Sequence, residues 1–590
     1  MKKIVSLLLT LVMLLGTMTA LTSCGTPKDG GPEINIYLGA QVFDFDPSDY
    51  YVSANAERVL ALMYEPLFTL KKNGKVKCAA ADSYKVDKDE RKIVIEIRDS
   101  YWSDNIKVKA ADFVYAWCER IINPANPNPA AALFLDIEGV REAMNGECSI
   151  SDVGIKATAS DQITITYREG ADYKRILSNL ASVATAPVRQ DIVAGAETVW
   201  SKQSVVSNGP FKLKSFDKED GTFELARNVG YHQKYDVKDY DNKVKPGLLY
   251  GTFTCADDKT SAVSYEDIAK KVTFIMADAP LADRVEYKKK ADVADDTSVY
   301  TYVFNTELPL FKDANVRLAL STAIDRAAIV EAITFGKAAD GFIPDVSGGS
   351  AESYISSTAD LAKARAYLAK ADQSVVREHS TITLSIDCDE QSKAIAEIVK
   401  AAWKQLGFTV VIDAVAPVTT PMADGSLVTD SGIQYLVKSV AMGTKTFEVI
   451  GLDWQTYSTD ALAGLASLTS TINGMGRKLE SGVPSNGGTP DSSEARANLS
   501  FWQDDEYNQL VLEASACADP EERNQLLAAA EKYLMEKMPV CPLVFNQSFV
   551  FTAFRVSGVK LDKLGNLNLT DTGMFRYRKF FKVEKPEEEK

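Results

Sequence analysis

Apolar and polar side chains alternate in two short segments of the first third of the chain. Residues 92–98 (KIVIEIR) place three isoleucines on one face, and residues 161–169 (DQITITYRE) repeat the pattern. A period of two predicts half-buried strands. Between them, residues 110–122 (AADFVYAWCERII) predict a helix, and we expect Trp102 and Phe113 to be core residues. This part of the chain is therefore predicted to be mixed α+β.

In the middle of the chain, the spacing of apolar residues changes from the two-residue period of a strand to the period of a helix and back again. Residues 381–387 (TITLSID) alternate as a strand, residues 392–407 place apolar side chains on one helical stripe, and residues 408–413 (FTVVID) alternate again. Gly407 is a natural end for the helix. A strand, a helix and a strand with short connections form a βαβ unit, so the two strands should run parallel with a right-handed crossover.

Two further helices are predicted from their N-terminal caps. Asp313 precedes an apolar repeat over 316–333, and Asp519 precedes Pro520, which opens a helix over 520–538. Residues 481–493 are rich in Gly, Ser and Pro and predict a surface loop or a disordered insertion. The chain as a whole is predicted to be α/β, with mixed α+β regions.

The N-terminal residues combine a basic start with an apolar run. Lys2 and Lys3 precede the largely apolar residues 4–21, and the run ends in Leu21-Thr22-Ser23-Cys24. Small and polar residues interrupt the run, which favours a signal peptide over a membrane-spanning helix. The last four residues resemble the lipobox of bacterial lipoproteins. This resemblance implies cleavage before Cys24 and a diacylglycerol on its sulfur, which would anchor the protein to the outer face of the cytoplasmic membrane or in the periplasm.

Length and charge narrow the class of protein further. A chain of 590 residues is too long for a single core, so several domains are expected. The formal net charge of −15 argues against nucleic acid as a partner, because phosphate binding requires a basic face. The cysteines after Cys24 are scattered without a CxxC pair, and we expect isolated buried thiols rather than a disulfide framework. We expect a monomer.

The sequence contains few residues of the kinds that enzymes use for catalysis. It has two histidines, His232 and His379, in polar contexts that indicate surface or loop positions, and no HExxH or GxSxG motif. No cofactor or metal site is predicted. Chemistry that uses carboxylates alone remains open, because the chain has many acidic residues. The pattern favours a binding protein over an enzyme.

Several segments, in order along the chain, resemble the peptide-binding family of ABC-importer solute-binding proteins, the oligopeptide- and dipeptide-binding type. The segments that carry the resemblance are FDFDPSDYYVSANAERVLALMYEPLFTL (43–70), IRDSYWSDNIKVKAADFVYAWCERIINP (97–124), SNGPFKLKSFDKEDGTFELARNVGYH (207–232), YVFNTELPLFKDANVRLALSTAIDRAAIV (302–330) and the helices at 505–538. Asn105 stands where the family usually has glycine.

The resemblance implies a two-lobed fold of the periplasmic-binding-protein type, with three domains and a hinge between the lobes. Mapped by order, it predicts a signal peptide at 1–23, a lipidated cysteine and tether at 24–32, a hinge-proximal lobe (domain I) from 33–70, 185–300 and 540–590, domain II at 71–184, and a distal lobe (domain III) at 301–539. The βαβ unit then falls inside the distal lobe.

The resemblance also implies where a ligand would bind. In the family an extended peptide lies between the lobes, and an aspartate after the distal βαβ unit holds the peptide's α-amine. Asp453 and Trp454 are the matching pair here. Asp453 could instead form a local hydrogen bond at the end of a strand, and Trp454 could pack in the core.

Five other residues match family positions near the cleft or near the crossing between the lobes. Structural roles explain them equally well, since a tight turn that leads into a strand would need the same residue types. These residues are Glu65, Asn305, Asn208, Gly209 and Phe211.

The sequence therefore predicts a lipoprotein that binds peptides and delivers them to an ABC permease and its ATPase subunits. Relatives of this architecture bind nickel chelates, sugars or signalling peptides, so a non-peptide solute stays open, although the scarcity of histidine counts against metal chelates. The sequence also leaves open a surface hydrolase that uses carboxylates alone, and an adhesion or scaffold protein that has kept the fold.

Overall fold

A computed structural model describes residues 33–37, 45–48, 54–123, 128–193, 205–217, 222–228, 230–232, 245–250, 274–421, 427–441, 444–470, 498–552, 556–569 and 573–574. The predicted signal peptide, Cys24, the tether and the predicted loop at 481–493 lie outside the described residues.

The strands have the following bounds: β1 Glu33–Tyr37, β2 Phe68–Leu70, β3 Val76–Cys78, β4 Ala81–Asp87, β5 Lys92–Ile97, β6 Ile155–Ala159, β7 Gln162–Thr166, β8 Phe211–Asp217, β9 Thr222–Arg227, β10 Lys245–Tyr250, β11 Phe274–Met276, β12 Asp292–Phe304, β13 Lys337–Ala338, β14 Thr381–Asp387, β15 Thr409–Val415, β16 Val418–Pro421, β17 Leu427–Asp430, β18 Val449–Gln455, β19 Val540–Thr552, β20 Val556–Ser557, β21 Lys560–Leu561, β22 Leu567–Asn568 and β23 Gly573–Met574.

The α-helices have the following bounds: α1 Ala54–Met63, α2 Ala110–Tyr115, α3 Val140–Met144, α4 Tyr173–Asn179, α5 Gln190–Val193, α6 Leu281–Lys288, α7 Pro309–Lys312, α8 Ala314–Thr322, α9 Arg326–Ile333, α10 Leu361–Leu368, α11 Gln373–Glu378, α12 Glu390–Lys404, α13 Gly432–Ala441, α14 Ala461–Ala466, α15 Asp505–Ala516 and α16 Pro520–Lys537. Short 3₁₀ turns lie at Pro129–Phe134, Ile150–Asp152, Val183–Thr185 and Asp345–Ser347.

Eleven strands of the described part form one sheet, in the order β15, β14, β18, β12, β19, β11, β1, β10, β9, β8, with β13 paired to β19. β12 and β19 are 13 residues each and pair antiparallel. The register shifts between Asp295 and Val299, so residues 296–298 interrupt the regular ladder. On one side of this pair β12 borders β18, and on the other β19 borders β11, so the two long strands join the two halves of the sheet.

The predicted βαβ unit is confirmed. β14 and β15 pair in parallel along seven residues, from Thr381 with Thr409 to Asp387 with Val415. The helix between them, α12, buries Ile395 and Val399 as its apolar stripe predicts. These side chains form a core with Trp403 and the β14 isoleucines, and burial of that face stabilises the unit.

The alternating segments of the first third also form strands as predicted. β5 and β7 are neighbours in an antiparallel sheet of order β4, β5, β7, β6, and their isoleucines are buried. Trp102 and Phe113 are fully buried. The predicted helix at 110–122 is α-helical over α2 and continues as a π-helix over Ala116–Ile121, a wider turn that the apolar pattern does not predict.

The prediction of one helix over 316–333 was wrong. Asp313 does cap a helix, but α8 ends at Thr322 and α9 begins at Arg326. The Asp325 carboxylate accepts a hydrogen bond from the Ala328 amide at 2.9 Å and so starts a second helix. The helix at the C-terminal side is confirmed, because Asp519 caps α16 and Pro520 is its first residue.

Five cysteines of the described part are free, as expected, but only Cys118 and Cys541 are buried as the prediction required. These free cysteines are Cys78, Cys118, Cys148, Cys517 and Cys541. Cys388 departs from the expectation, since it is disulfide-bonded. Its sequence context contains no CxxC pattern, so the spacing of the cysteines could not predict this bond.

Candidate functional site

The carboxyl ends of two neighbouring parallel strands, β14 and β18, lie close together in the large sheet. β14 ends at Asp387, and Asp453 lies two residues before the end of β18. In open α/β sheets, ligands bind outside the carboxyl ends of such strands. We call Ser298, Asp387, Asp453, Gln455 and Asn546 the Asp453 cluster.

The Asp453 carboxylate is held in place by neighbouring strands. Asn546 on β19 donates one hydrogen bond to Asp453 Oδ1 at 2.7 Å and another to Ser298 Oγ at 2.9 Å. Ser298 lies on β12, between the other two strands in the sheet. Side chains from three strands therefore contribute to the orientation of the carboxylate.

Burial and like charges make ionisation of these carboxylates costly. Burial raises the pKa of Asp453 to about 6, the charges of Asp296 and Asp389 contribute to the rise, and Asn546 and Arg58 oppose the shift. Burial also raises the pKa of Asp387 to about 7, with contributions from the charges of Asp389 and Asp453.

Helix α1 brings a further carboxylate and a cation to this region. Burial raises the pKa of Glu57 to about 8, with contributions from the charges of Asp296 and Asp562. Arg58 donates to the Ala277 carbonyl and to Ser548 Oγ, each at 3.3 Å, and Ser548 Oγ donates to Asp296 Oδ2 at 3.0 Å. The region is therefore crowded with carboxylates, and a bound cation would stabilise their ionised forms.

Trp454 lies on the opposite face of β18 from Asp453, because side chains alternate along a strand. The Trp454 ring is buried and packs edge-on against Phe342 at a centroid distance of 5.9 Å. Its indole N–H donates to Ser467 Oγ at 2.9 Å. This placement favours packing, which is one of the two roles that the sequence leaves open.

Glu65 and Asn208 meet in a second polar cluster, far along the chain from Asp453. The Asn208 side chain accepts from the Glu65 amide at 3.0 Å and donates to the Glu65 carbonyl at 2.8 Å. The Glu65 carboxylate accepts from Tyr231 Oη at 2.5 Å and lies 2.7 Å from His232 Nε2. We call Glu65, Asn208, Gly209, Tyr231 and His232 the Glu65 cluster.

Gly209 and Phe211 complete the link between the end of α1 and the start of β8. The Gly209 amide donates to the Met63 carbonyl at 2.8 Å, and a Cβ at Gly209 would lie 2.5 Å from that oxygen, so only glycine fits. Phe211 is buried and begins β8. These contacts account for the residues as a tight turn that leads into a strand.

Asn305 belongs to neither cluster. It follows the last residue of β12, and its side-chain amide donates to the Phe447 carbonyl at 3.0 Å. Its backbone amide donates to the Glu448 carbonyl at 3.1 Å. Asn305 thus connects the end of β12 to the segment that leads into β18.

Sequence reasoning did not single out most residues of these two regions, which include Glu57, Arg58, Tyr231, Ser298, Asp387, Gln455 and Asn546. The His232 side chain, expected at the surface or in a loop, is only 10% exposed and lies against Glu65. Glu57 and Arg58 were not singled out, although they are the charged residues of an otherwise largely apolar helix, and that contrast is a usable signal. The Glu65–His232 contact joins residues 167 positions apart, so no local pattern could reveal it.

Metal clusters and membrane-spanning helices are absent from the described residues. No group of His, Cys, Asp or Glu in this part of the chain could hold a metal ion. None of its helices is long and apolar enough to cross a membrane.

The comparison with known families gives a match over most of the chain. Residues 75–476 match the model described as "Bacterial extracellular solute-binding proteins, family 5 Middle". The chain belongs to this family. The resemblance seen in the sequence is thereby confirmed.

Relatives of this family-5 solute-binding protein cover nearly its whole length. The chain is 24% identical over 537 residues to the dipeptide-binding protein DppE of Bacillus subtilis, covering 89% of each chain. It is 25% identical over 532 residues to the oligopeptide-binding protein OppA of the same organism, covering 88% of each.

The fold of the family-5 protein is also that of solved structures. The murein tripeptide binding protein MppA of Escherichia coli matches with a TM-score of 0.71 at 21% identity, covering 92% of this chain and 98% of that one. The predicted two-lobed α/β fold is confirmed by this match.

Proposed function

We propose that this protein captures peptides in a cleft between its two lobes and delivers them to an ABC importer. The main observation that supports the proposal is the Asp453 cluster, in which several carboxylates lie close together at the carboxyl ends of β14 and β18. The names of the two Bacillus subtilis relatives, which state dipeptide and oligopeptide binding, support peptides as the ligand class.

Asp453 would hold the α-amine of the peptide. A free amine that is buried in a closed cleft needs a carboxylate, because an unpaired buried charge is costly. The ammonium would in turn stabilise the ionised form of Asp453, whose pKa burial raises to about 6. The rest of an extended peptide could bind through its backbone amides, which allows many sequences to bind.

The domain boundaries predicted from the sequence stay part of this proposal. They assign 33–70, 185–300 and 540–590 to the hinge-proximal lobe, 71–184 to domain II and 301–539 to the distal lobe. The antiparallel sheet β4–β7 lies within the second range and the βαβ unit within the third, which supports the division. We propose residues 296–298, where the β12–β19 ladder is interrupted, as part of the hinge.

Direct contacts across these proposed boundaries support a closed arrangement. Ser458 Oγ donates to Asn179 Oδ1 at 2.6 Å, and the hydroxyls of Ser178 and Thr459 lie 3.1 Å apart. The residues numbered 458 and 459 follow β18 closely, so closure would bring domain II against the strand that carries Asp453.

We further propose that the protein works as a lipid-anchored monomer outside the cytoplasmic membrane and acts by binding, without catalysis. The lipobox-like residues before Cys24 support the anchor. Its partners would be an ABC permease and ATPase subunits on other chains.

Native mass spectrometry of gently purified protein tests the proposal. We expect peptides to be released on denaturation, in a ratio of one peptide to one protein. Release of a sugar or a metal chelate would contradict the peptide assignment, and turnover of a peptide or glycoside panel would contradict a binding role.

A further inference from the structure

Gln455 is a buried glutamine whose side-chain amide has no partner within the described residues. The residue is 5% exposed, yet neither Oε1 nor Nε2 forms a hydrogen bond there. A buried amide without partners destabilises the folded chain, and native proteins leave few polar groups in this state. A ligand that forms hydrogen bonds with this amide would explain why it is buried without a partner in the protein.

The register of the sheet places Gln455 on the same face as Asp453. The two residues are two positions apart on β18, and alternate side chains of a strand share a face. Gln455 also lies opposite Ser298 in the ladder with β12. Ser298 accepts from Asn546, the residue that binds Asp453, so the orphaned amide lies next to the side chains that hold Asp453.

The spacing along β18 matches the spacing of an extended ligand. Two residues of a strand span about 6.6 Å, and an extended peptide advances at the same rate of about 3.3 Å per residue. A ligand whose amine lies at Asp453 and whose backbone extends along β18 would place its second residue within reach of Gln455. A side-chain amide offers an acceptor and donors, which complement the N–H and C=O that one residue of an extended peptide presents on the same side.

We infer that Gln455 is a ligand-binding residue that pairs with the backbone of the ligand's second residue, with Oε1 accepting from that residue's N–H and Nε2 donating to its C=O. This inference rests on the proposed function, in which the ligand is a peptide held at Asp453. It explains why a costly orphaned amide lies beside the carboxylates. Gln455 would then recognise the backbone N–H and C=O, which all peptides have, rather than a particular side chain.

The test uses the full chain and two peptide pools. One is a random tripeptide pool, and the other is the same pool with the nitrogen of the second residue methylated, which removes that N–H. Both pools are offered to wild-type protein and to Gln455→Met, a substitution of similar length without hydrogen-bonding groups. Retained peptides are measured by mass spectrometry, and thermal unfolding of the ligand-free proteins is measured in parallel.

We expect wild type to bind the unmethylated pool about tenfold more tightly than the methylated one, the effect of one lost hydrogen bond at a buried site. Gln455→Met should bind the unmethylated pool about tenfold more weakly than wild type and should no longer distinguish the pools. Its ligand-free unfolding temperature should be unchanged or higher, because the substitution removes an unpaired polar group.

A matched control is Gln547→Met, because Gln547 on the neighbouring strand β19 already donates to Asp295 at 2.9 Å. This control should keep the preference between the pools. Full affinity and full discrimination in Gln455→Met would overturn the inference, and so would a lower unfolding temperature without a change in binding. If wild type binds neither pool, the proposed function itself fails, which is a distinguishable outcome.

Discussion

The Asp453 cluster and the Glu65 cluster contain similar residue types, but they differ in how those residues are paired. In the Glu65 cluster the Glu65 carboxylate accepts a hydrogen bond from Tyr231 and contacts His232. The Asn208 side chain forms hydrogen bonds with both the backbone N–H and the backbone carbonyl of Glu65. In the Asp453 cluster, carboxylates have raised pKa values and Gln455 has no partner among the described residues. In the first arrangement the polar groups pair with one another, whereas the second contains a buried amide without a partner among the described residues, which we propose that a ligand supplies.

The largest effect that we expect from this difference is the loss of binding on Asp453→Asn. The substitution keeps the oxygen that accepts from Asn546 and removes the charge that would hold an amine. Affinity for a random tripeptide pool should fall about 100-fold, within the range for losing one partner of a buried charge pair. Asp519→Asn, at an exposed helix cap, is the matched control and should bind like wild type. Equal affinities of Asp453→Asn and wild type would remove Asp453 from the site.

Asn208→Ala should give the opposite result, a loss of stability without a loss of binding. The substitution removes both hydrogen bonds to the Glu65 backbone and leaves buried groups unpaired. The free energy of unfolding in urea should fall by about 2 kcal/mol, at about 1 kcal/mol for each hydrogen bond. Peptide affinity should stay within about twofold of wild type. A large loss of affinity in a folded variant would place Asn208 in the site and break the comparison.

Binding should weaken as pH falls, because the amine needs an ionised Asp453. Burial raises the pKa of this carboxyl to about 6, with Asp296 and Asp389 contributing to the rise and Asn546 and Arg58 opposing it. Below pH 6 a proton must leave before the amine binds, so affinity should fall about tenfold from pH 7 to pH 5. Calorimetry over this range measures the slope, which should be much smaller in Asp453→Asn. A pH-independent affinity in wild type would contradict the assigned role.

The smallest effect should come from the contact between the proposed lobes. Ser458→Ala removes the hydrogen bond to Asn179 and so makes the closed state less stable. Affinity should fall by about two- to fivefold, because one hydrogen bond contributes about 0.5–1 kcal/mol. X-ray scattering should show a larger share of open molecules at partial saturation. An unchanged affinity and radius of gyration would mean that this contact does not contribute to closure.

Helices and strands could be predicted where the local spacing of apolar residues determines the structure. The strands β5, β7, β14 and β15 follow their alternating side chains, and α12 follows its apolar stripe. The split between α8 and α9 was missed, because the apolar repeat continues across Asp325 while its carboxylate starts a new helix. The apolar repeat favours one continuous helix at that position, whereas the Asp325 cap favours the start of a new helix, and the structure follows the cap.

The candidate site could be predicted only in part. Asp453 was suggested by the family resemblance, and its role in binding stays a prediction. Gln455 could not be found, because its lack of a partner depends on residues from β12 and β19 that lie far away in sequence. The raised pKa of Glu57 has the same origin, since Asp296 and Asp562 approach it only in the folded chain.

The most direct test of the central claim compares a random tripeptide pool with the same pool acetylated at its amino termini, both offered to wild-type protein. Acetylation removes the positive charge and leaves the peptide backbone intact. We expect the free-amine pool to bind about 100-fold more tightly, because the acetylated pool leaves the Asp453 carboxylate without its cation. Equal binding of the two pools would contradict the account.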